Sequence, residues 1–460
     1  MKQATHRSTL RGILTLGWPM FVSQLAVMAH GIIDTAMAGH LSARDLAAVA
    51  IGSSVYYMVY VGLMGALQAI SPVAAQHFGA GRLHAVGDTW RQGQWMAILL
   101  FAPAALALAM PQPLLSLTGA PVETIDQSTI YLKLIALGLP AALWFRAFTT
   151  FNAAVSRPGV VMVINLLGPV LKVPLNLLFM HGTTLTETIG LPAVPALGGA
   201  GCGLSTAVIA WASAGIGWTL LHRDPFYRRF SLRGIGRPQA AALRELIRLG
   251  LPIGGTYLID VSAFNLMTLL VARLGNDVTA GHAIASNLAA VIFMLPLSLG
   301  NATCVLAAQR LGAEDPAGAR RTAWSGVWLV ASLAVLTASL LWLLREPIAR
   351  AYSSDAAVWG VAMSLLGLVA LYHLFDAMQC VLAFALRAWR VTVAPMLVFA
   401  VALWGVGVGG GWWLAFERGL GVSGFWIAAI GAVAVAALGL ILLLQRHTRV
   451  PIIADAAVRA

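Results

Sequence analysis

Apolar residues run along this chain in long unbroken stretches, rich in Leu, Ala, Val and Gly, separated by short polar or basic connections. A helix that crosses the ~30 Å hydrocarbon of a bilayer takes about 20 residues, and about a dozen stretches reach that length. No water is present in hydrocarbon to satisfy backbone polar groups, so such stretches must be α-helices or a closed barrel, and a barrel would show short alternating strands. The pattern predicts an all-α membrane protein of twelve transmembrane helices. They lie near 12–38, 46–70, 90–112, 128–152, 158–180 and 196–222, then near 247–273, 280–308, 322–344, 358–386, 391–416 and 422–444. Gly79-Ala80-Gly81 and Arg157-Pro158-Gly159 punctuate the runs where turns are wanted.

The two sets resemble each other. Sliding the chain by 233 residues superposes Leu16-Gly17-Trp18-Pro19 on Leu249-Gly250-Leu251-Pro252, and Ala75-Gln76-His77-Phe78-Gly79-Ala80 on Ala308-Gln309-Arg310-Leu311-Gly312-Ala313, without a gap. About a quarter of positions match over residues 16–80 and their partners, and internal duplication of this kind is common in secondary transporters. Six helices per half is an even number, so the halves are parallel repeats, two pseudo-symmetric six-helix lobes with the binding site between or inside them. The predicted division is an N-lobe over 1–222, a basic linker over 223–246 and a C-lobe over 247–460. Lys2, Arg7 and Arg11 ahead of an apolar run imitate a signal peptide, but an internally repeated segment is not a cleaved one.

Charge sets the orientation. The positive-inside rule counts Lys and Arg in short loops; roughly 20 fall at the termini and even-numbered loops, and about five in odd-numbered ones. The first group includes Arg82, Arg91, Arg320, Arg321, Arg387, Arg390, Arg446 and Arg449; the second is Arg44, Arg273, Arg345, Arg350 and Arg418. Both termini are therefore expected in the cytoplasm, in a bacterial inner membrane. The formal charge of +12 is spread over alternate loops and not gathered on one folded surface, which argues against nucleic-acid binding. The richest stretch, Arg223, Arg228, Arg229, Arg233, Arg237, Arg244 and Arg248, reads as a topology determinant. Only 10% of residues are charged, against roughly 25% in soluble domains. Cys202, Cys304 and Cys380 are scattered in apolar runs and suggest neither disulfides nor a metal site.

An ionisable side chain at mid-bilayer costs roughly 2.5–3.5 kcal/mol, so each one is a functional candidate. Three carboxylates qualify: Asp34 in helix 1, Asp260 in helix 7 and Asp376 in helix 10. His30 and His373 sit one turn from Asp34 and Asp376; otherwise these acids need partners on other helices, a proton or water. Under the 233-residue shift Asp34 aligns with Met267 and Asp260 with Val27, so the halves carry charge at different places. Lys172 in helix 5 is the intramembrane cation, with Asp34 as its expected partner; snorkelling of Lys172, and of Arg146, to an interface is the alternative. Gln24, Asn152, Asn165 and Asn176 offer neutral donors or ordinary interhelical glue. Tyr257 and Gln379 neighbour the C-lobe acids in sequence and are further candidates. Gly405-Val406-Gly407-Val408-Gly409 has no following Lys, and no Walker loop or HExxH is present, so neither ATP drive nor a soluble-enzyme mechanism is expected.

Gly17-Trp18-Pro19 leading to Asp34-Thr35-Ala36-Met37-Ala38-Gly39, Ala75-Gln76 with Gly79-Ala80-Gly81, Val173-Pro174-Leu175-Asn176 with His181-Gly182, and Leu251-Pro252-Ile253-Gly254 together resemble the multidrug and toxic compound extrusion (MATE) family, in its NorM-like bacterial branch. The resemblance implies a V-shaped pair of lobes that alternates access, exports organic cations in exchange for H⁺ or Na⁺, uses no cofactor and is not an enzyme. It makes Asp34 the N-lobe acid and Asn176 a polar companion, and it makes Asp260 and Asp376 the C-lobe acids, where Na⁺ could bind. Two positions depart from that branch: Asp260 stands where Glu is usual, and Lys172 where Asn is usual. A fixed ammonium beside Asp34 disfavours Na⁺ there, which favours protons.

The expected activity is therefore proton-coupled export of small cationic or amphiphilic compounds by a monomer that meets membrane lipid and no nucleic acid. Two other readings remain at this point. A flippase of lipid-linked saccharide or another amphiphile would need a cationic cavity for phosphates, against the acidic set here; an intramembrane enzyme would need acids facing one another at catalytic distance.

Overall fold

The computed structural model describes residues 6–116, 121–182, 195–232 and 234–449; Lys2 and Arg233 lie outside them. Among the described residues eleven helices are long and apolar enough to span a membrane, and a bent pair makes a twelfth. They are α1 (Arg7–Leu41), α2 (Ala43–Gly79), α3 (Leu83–Ala109), α4 (Val122–Ala136 and Leu139–Ala154), α5 (Pro158–His181) and α6 (Gly198–Arg223). The second set is α7 (Ala240–Leu274), α8 (Asn276–Gly312), α9 (Pro316–Leu343), α10 (Ala356–Ala388), α11 (Val393–Glu417) and α12 (Gly421–Thr448). Among the described residues no strand occurs. Large apolar side chains point outward along these helices: Leu106 is 61% exposed, Val170 69%, Leu269 68% and Leu442 67%. A water-soluble monomer does not display apolar surface on that scale, whereas lipid covers it at no cost.

All twelve predicted spans are present, and several run past the apolar stretch that announced them. The repeat is legible in their ends: α7 and α8 begin and end 233 residues after α1 and α2. The halves then diverge. α4 is bent by 52° between its two pieces, while α10 is a continuous helix. The cause is local. Pro140 lacks an N–H and its ring crowds the carbonyl four residues back, which breaks the ladder at Leu137-Gly138; α10 has His373 at the matching position. α11 contains stretches of wider π-type winding over Ala400–Gly409 and Trp413–Glu417. A short amphipathic helix, Arg345–Tyr352, fills the connection that the sequence reading treated as a loop.

The chain forms two compact units. One comprises residues 1–18, 75–81 and 259–460; the other comprises 19–74 and 82–258. In the first unit the core gathers around Trp426, Phe425, Leu365, Leu366 and Val369, with Met267 and Val271 of α7. Gly17 of α1 packs there on Leu299 of α8, so close that a Cβ would stand 2.6 Å from Leu299 Cδ2. In the second unit Gly250 of α7 packs on Ala66 of α2, a Cβ reaching 2.5 Å from the Ala66 carbonyl oxygen. These are the same contact in the two repeats. Gly250 and Gly254, four apart, meet Gly62, Gly65 and Ala66, the small-residue crossing by which membrane helices approach to backbone contact.

One contact is reciprocal. In the first unit the end of α2 lies against the end of α8, where a Cβ on Gly79 would stand 1.8 Å from the Gln309 carbonyl oxygen and a Cβ on Gly312 would stand 1.8 Å from that of Gln76. The two turns that follow contain Gly81 (φ 70°) and its counterpart Glu314 (φ 58°), a left-handed position kept in both repeats although only one is glycine. Gln76 is itself fixed, donating to the Ala388 carbonyl at 2.8 Å and accepting from Arg390 Nε at 2.9 Å.

The basic segment after α6 is docked onto the second unit. Asp224 accepts from the Phe226 N–H at 2.9 Å and pairs with Arg157 at 2.5 Å. Against a desolvation that raises it, the Phe226 N–H and the Arg157 guanidinium hold the Asp224 carboxyl below its usual value. The Tyr227 hydroxyl donates to Asn152 Oδ1 at 2.6 Å, Arg91 donates to the Ser231 carbonyl at 2.6 Å, and Gln92 bonds both the Arg237 carbonyl and the Gln239 N–H. The Arg157 and Arg229 guanidiniums both lie over the Phe226 ring, at 4.3 and 3.9 Å from its centroid.

Candidate functional site

Helical spacing builds the first polar cluster, which lies wholly within the second unit. Gly168, Lys172 and Asn176 succeed one another at four-residue intervals on one face of α5, and His30 and Asp34 do so on α1. Lys172 Nζ lies 3.0 Å from Asp34 Oδ2, and Asn176 Nδ2 donates to Asp34 Oδ1 at 2.8 Å. α6 supplies the remaining partners: Lys172 also donates to the Cys202 carbonyl at 3.2 Å and to Thr206 Oγ1, and Ser205 Oγ donates to Asn176 Oδ1. Lys172 and Asn176 are wholly buried and Asp34 is 7% exposed. His30 rests on Gly168, whose missing side chain makes the room, a Cβ there falling 2.5 Å from His30 Nε2.

The accounting is complete for the ammonium. Its three N–H donors meet three oxygens, Asp34 Oδ2, the Cys202 carbonyl and Thr206 Oγ1. Removing two charges from water costs several kcal/mol per ion, and the cost is recovered only with such geometry. Lys172 does not snorkel. Asn165, also expected as a neutral donor, bonds Ser23 at 2.6 Å. Asn152 stands apart from this cluster: its partners are the Phe148 carbonyl and Tyr227, and it anchors the basic segment. Gln24 is half-buried on α1.

The second cluster lies in the first unit. Gln379 donates to Asp376 Oδ1 at 2.9 Å from one turn along α10, and both side chains are buried. Tyr372 of α10 lies one turn before Asp376, and Asp260 of α7, half-buried, lies within electrostatic range of Asp376. Gln379 Oε1 is buried without a hydrogen-bond partner. Among the described residues no Lys or Arg lies within 4.0 Å of either carboxylate, in contrast to Asp34. Trp426 stacks edge-on to Tyr372 at 5.6 Å and to Phe264 at 6.2 Å. His373 turns away from Asp376 and bonds Thr337 Oγ1 across to α9 at 2.9 Å. Tyr257 belongs to the other unit, its ring against Gly65.

Ser205, Thr206 and Tyr372 were not singled out from sequence. A signal existed for the first two, since Gly201-Cys202-Gly203-Leu204-Ser205-Thr206 puts two adjacent hydroxyls about one turn after a pair of glycines that allow close helix approach. His282, fully buried in α8 among Thr268, Ser286 and Trp426, was missed as well.

The fold and its two buried polar clusters, one in each unit, suit a polytopic membrane protein that moves ions or small polar solutes through its helices. Comparison with known proteins agrees and refines this. The MatE family model matches residues 19–178 and again 252–413, two matches whose starts lie 233 residues apart. The chain is 40% identical over 421 residues to the "Probable multidrug resistance protein NorM" of Aromatoleum aromaticum, covering 90% of this chain and 89% of that one. It is 35% identical to the multidrug resistance protein PmpM of Pseudomonas aeruginosa, over 96% of this chain and 92% of that one. In fold it matches the eukaryotic MATE transporter AtDTX14 with a TM-score of 0.86 at 18% identity, covering 96% of this chain and 98% of that one. It matches the Vibrio cholerae MATE transporter VcmN in its bent form at 0.83 and 19% identity, covering 97% and 98%. The chain belongs to the MatE family.

Proposed function

We propose that this transporter exports small organic cations, drug-like compounds among them, in exchange for protons. Asp34 is the proton-coupling acid, Lys172 and Asn176 set its properties, and Asp260 and Asp376 hold the cationic substrate or a second coupling ion, with Tyr372 and Gln379 as their companions. The observation that carries the choice of ion is the buried contact of Lys172 with Asp34. A sodium ion needs several oxygens around it, and those near Asp34 are already taken by Lys172 Nζ, Asn176 Nδ2 and Ser205 Oγ; a proton needs one carboxylate oxygen. The names of NorM and PmpM support drug-like substrates.

Transport follows from competition. Burial disfavours a bare carboxylate, so a group that must give up its partner to bind a proton couples proton entry to a rearrangement of what it held. The drive suffices: about 2.3 kcal/mol per charge across 100 mV, and about 1.4 kcal/mol per tenfold gradient. The bias of Lys and Arg toward the termini and even loops supports both termini in the cytoplasm of an inner membrane, with 223–246 as the linker between an N-lobe and a C-lobe. The protein acts as a monomer in this reading.

The test is efflux of a fluorescent organic cation from proteoliposomes under a pH gradient or a Na⁺ gradient applied separately. The pH gradient alone is expected to drive efflux, and Asp34→Asn to abolish it. Drive by Na⁺ alone would move the coupling site to Asp260 and Asp376, and no efflux under either gradient would leave the flippase as the better reading.

A further inference from the structure

A second polar feature lies outside both clusters, at the start of α9 and the end of α12. A cavity of about 420 Å³ is lined there by Arg320, Trp324, Gln445 and Arg449, all within the first unit. The lining is two i,i+4 pairs, Arg320 with Trp324 on α9 and Gln445 with Arg449 at the end of α12, so each helix turns one face to the same space. Both arginines are exposed, and among the described residues no carboxylate lies within 4.0 Å of either. The neighbouring acid Asp315 is committed elsewhere, capping the Gly318 N–H at 2.7 Å and pairing with Arg310 at 3.4 Å. Two guanidinium forks, an indole N–H and an amide make a donor set for one doubly contacted anion, and phosphate matches that geometry.

What lies beside the cavity narrows the source of the phosphate. One turn further along α9 Trp328 is 67% exposed, and three residues back along α12 Leu442 is 67% exposed, with Leu438 and Val335 continuing the apolar track. The order along α9 is cationic head, amphipathic Trp, then outward apolar surface, and along α12 cationic head, amide, then outward apolar surface, the sequence of an anionic phospholipid read from phosphate to acyl chain. Basic pockets between transmembrane helices on the cytoplasmic side are suited to such headgroups. From this charge complementarity and the adjoining apolar track we infer that the α9–α12 cavity binds the phosphate headgroup of an anionic phospholipid, phosphatidylglycerol or cardiolipin, of the cytoplasmic leaflet.

The experiment measures binding of fluorescent phosphatidylglycerol to the full-length protein in neutral-lipid nanodiscs, for wild type, Arg320→Gln/Arg449→Gln and, as a control for diffuse charge, Arg228→Gln/Arg229→Gln. The affinity is expected to fall about thirty-fold in the first double variant, and less than about threefold in the control. Arg449→Gln alone, beyond the last turn of α12, is expected to lose about fivefold and serves if the double variant does not fold. Equal losses in both double variants would overturn the site in favour of unspecific attraction, as would no loss in either. Displacement of the lipid by millimolar inorganic phosphate would overturn the lipid as the occupant.

Discussion

At the scale of single residues, the chain compensates the buried carboxylate of Asp34 with a second buried charge, that of Lys172. Breaking a buried pair by removing one partner leaves an uncompensated ion and costs about 3–5 kcal/mol, whereas replacing both partners with apolar or neutral groups is often tolerated. Lys172→Met is therefore expected to lower the thermal unfolding temperature in detergent sharply, and Asp34→Asn/Lys172→Met to recover part of the loss. An additive double variant would show that the two charges do not sense each other. The pair was legible in the sequence because Asp34 and Lys172 are the conspicuous charges in runs of Leu, Val and Ile. Ser205 and Thr206 were not, because a hydroxyl in a membrane helix usually bonds its own backbone, as Thr206 does with the Cys202 carbonyl at 2.8 Å. Nothing in the spacing says that the same hydroxyl also faces an ammonium. Asn152 misled for the opposite reason: a polar residue near a helix end served a docked connection.

At the scale of helices, hydrophobic length told where the spans are, but it reported neither the bend at Pro140, within what was read as one span over 128–152, nor a helix that continues into water, as α7 does from Ala240. The docking of the basic segment was equally hidden, since its holding contacts are backbone carbonyls and rings more than charges. Glycine carries more. Gly79 and Gly312 admit no Cβ, because each would strike a backbone oxygen that no rotamer change can move. Gly79→Ala and Gly312→Ala are each expected to destabilise by about 1–3 kcal/mol. Gly31→Ala on α1, with nothing within 4 Å of the added carbon, is expected to be neutral or mildly stabilising, because alanine is the better helix former. Thermal unfolding of the three variants checks this; equal melting temperatures would mean that the two helix ends slide apart freely.

At the scale of the molecule, a duplicated chain has given its copies different chemistry. The backbone contacts of the repeat survive, in Gly17 against Leu299 and Gly250 against Ala66, while the charges have moved: Asp34 aligns with Met267, and Asp260 with Val27. The consequence is an asymmetry of compensation. Asp34 carries its own cation. Asp260 and Asp376 have none within 4.0 Å among the described residues, so whatever neutralises them is a proton or an arriving cation. If the substrate is cationic, as proposed, it would gain more at Asp260 and Asp376 than at Asp34. A hydrogen bond or contact to a charged group is worth about 1.5–3 kcal/mol, which is roughly ten- to a hundred-fold in affinity. Asp376→Asn keeps the shape of the side chain and its bond with Gln379 while removing the charge. It is expected to raise KM for a monovalent organic cation by at least about tenfold and to leave pH-gradient drive at saturating substrate within about threefold of wild type. Asp34→Asn should do the reverse, losing the drive while substrate still binds. Loss of drive in both variants with KM unchanged in both would mean that the two acids share one role, and the division of labour drawn from their different surroundings would be wrong.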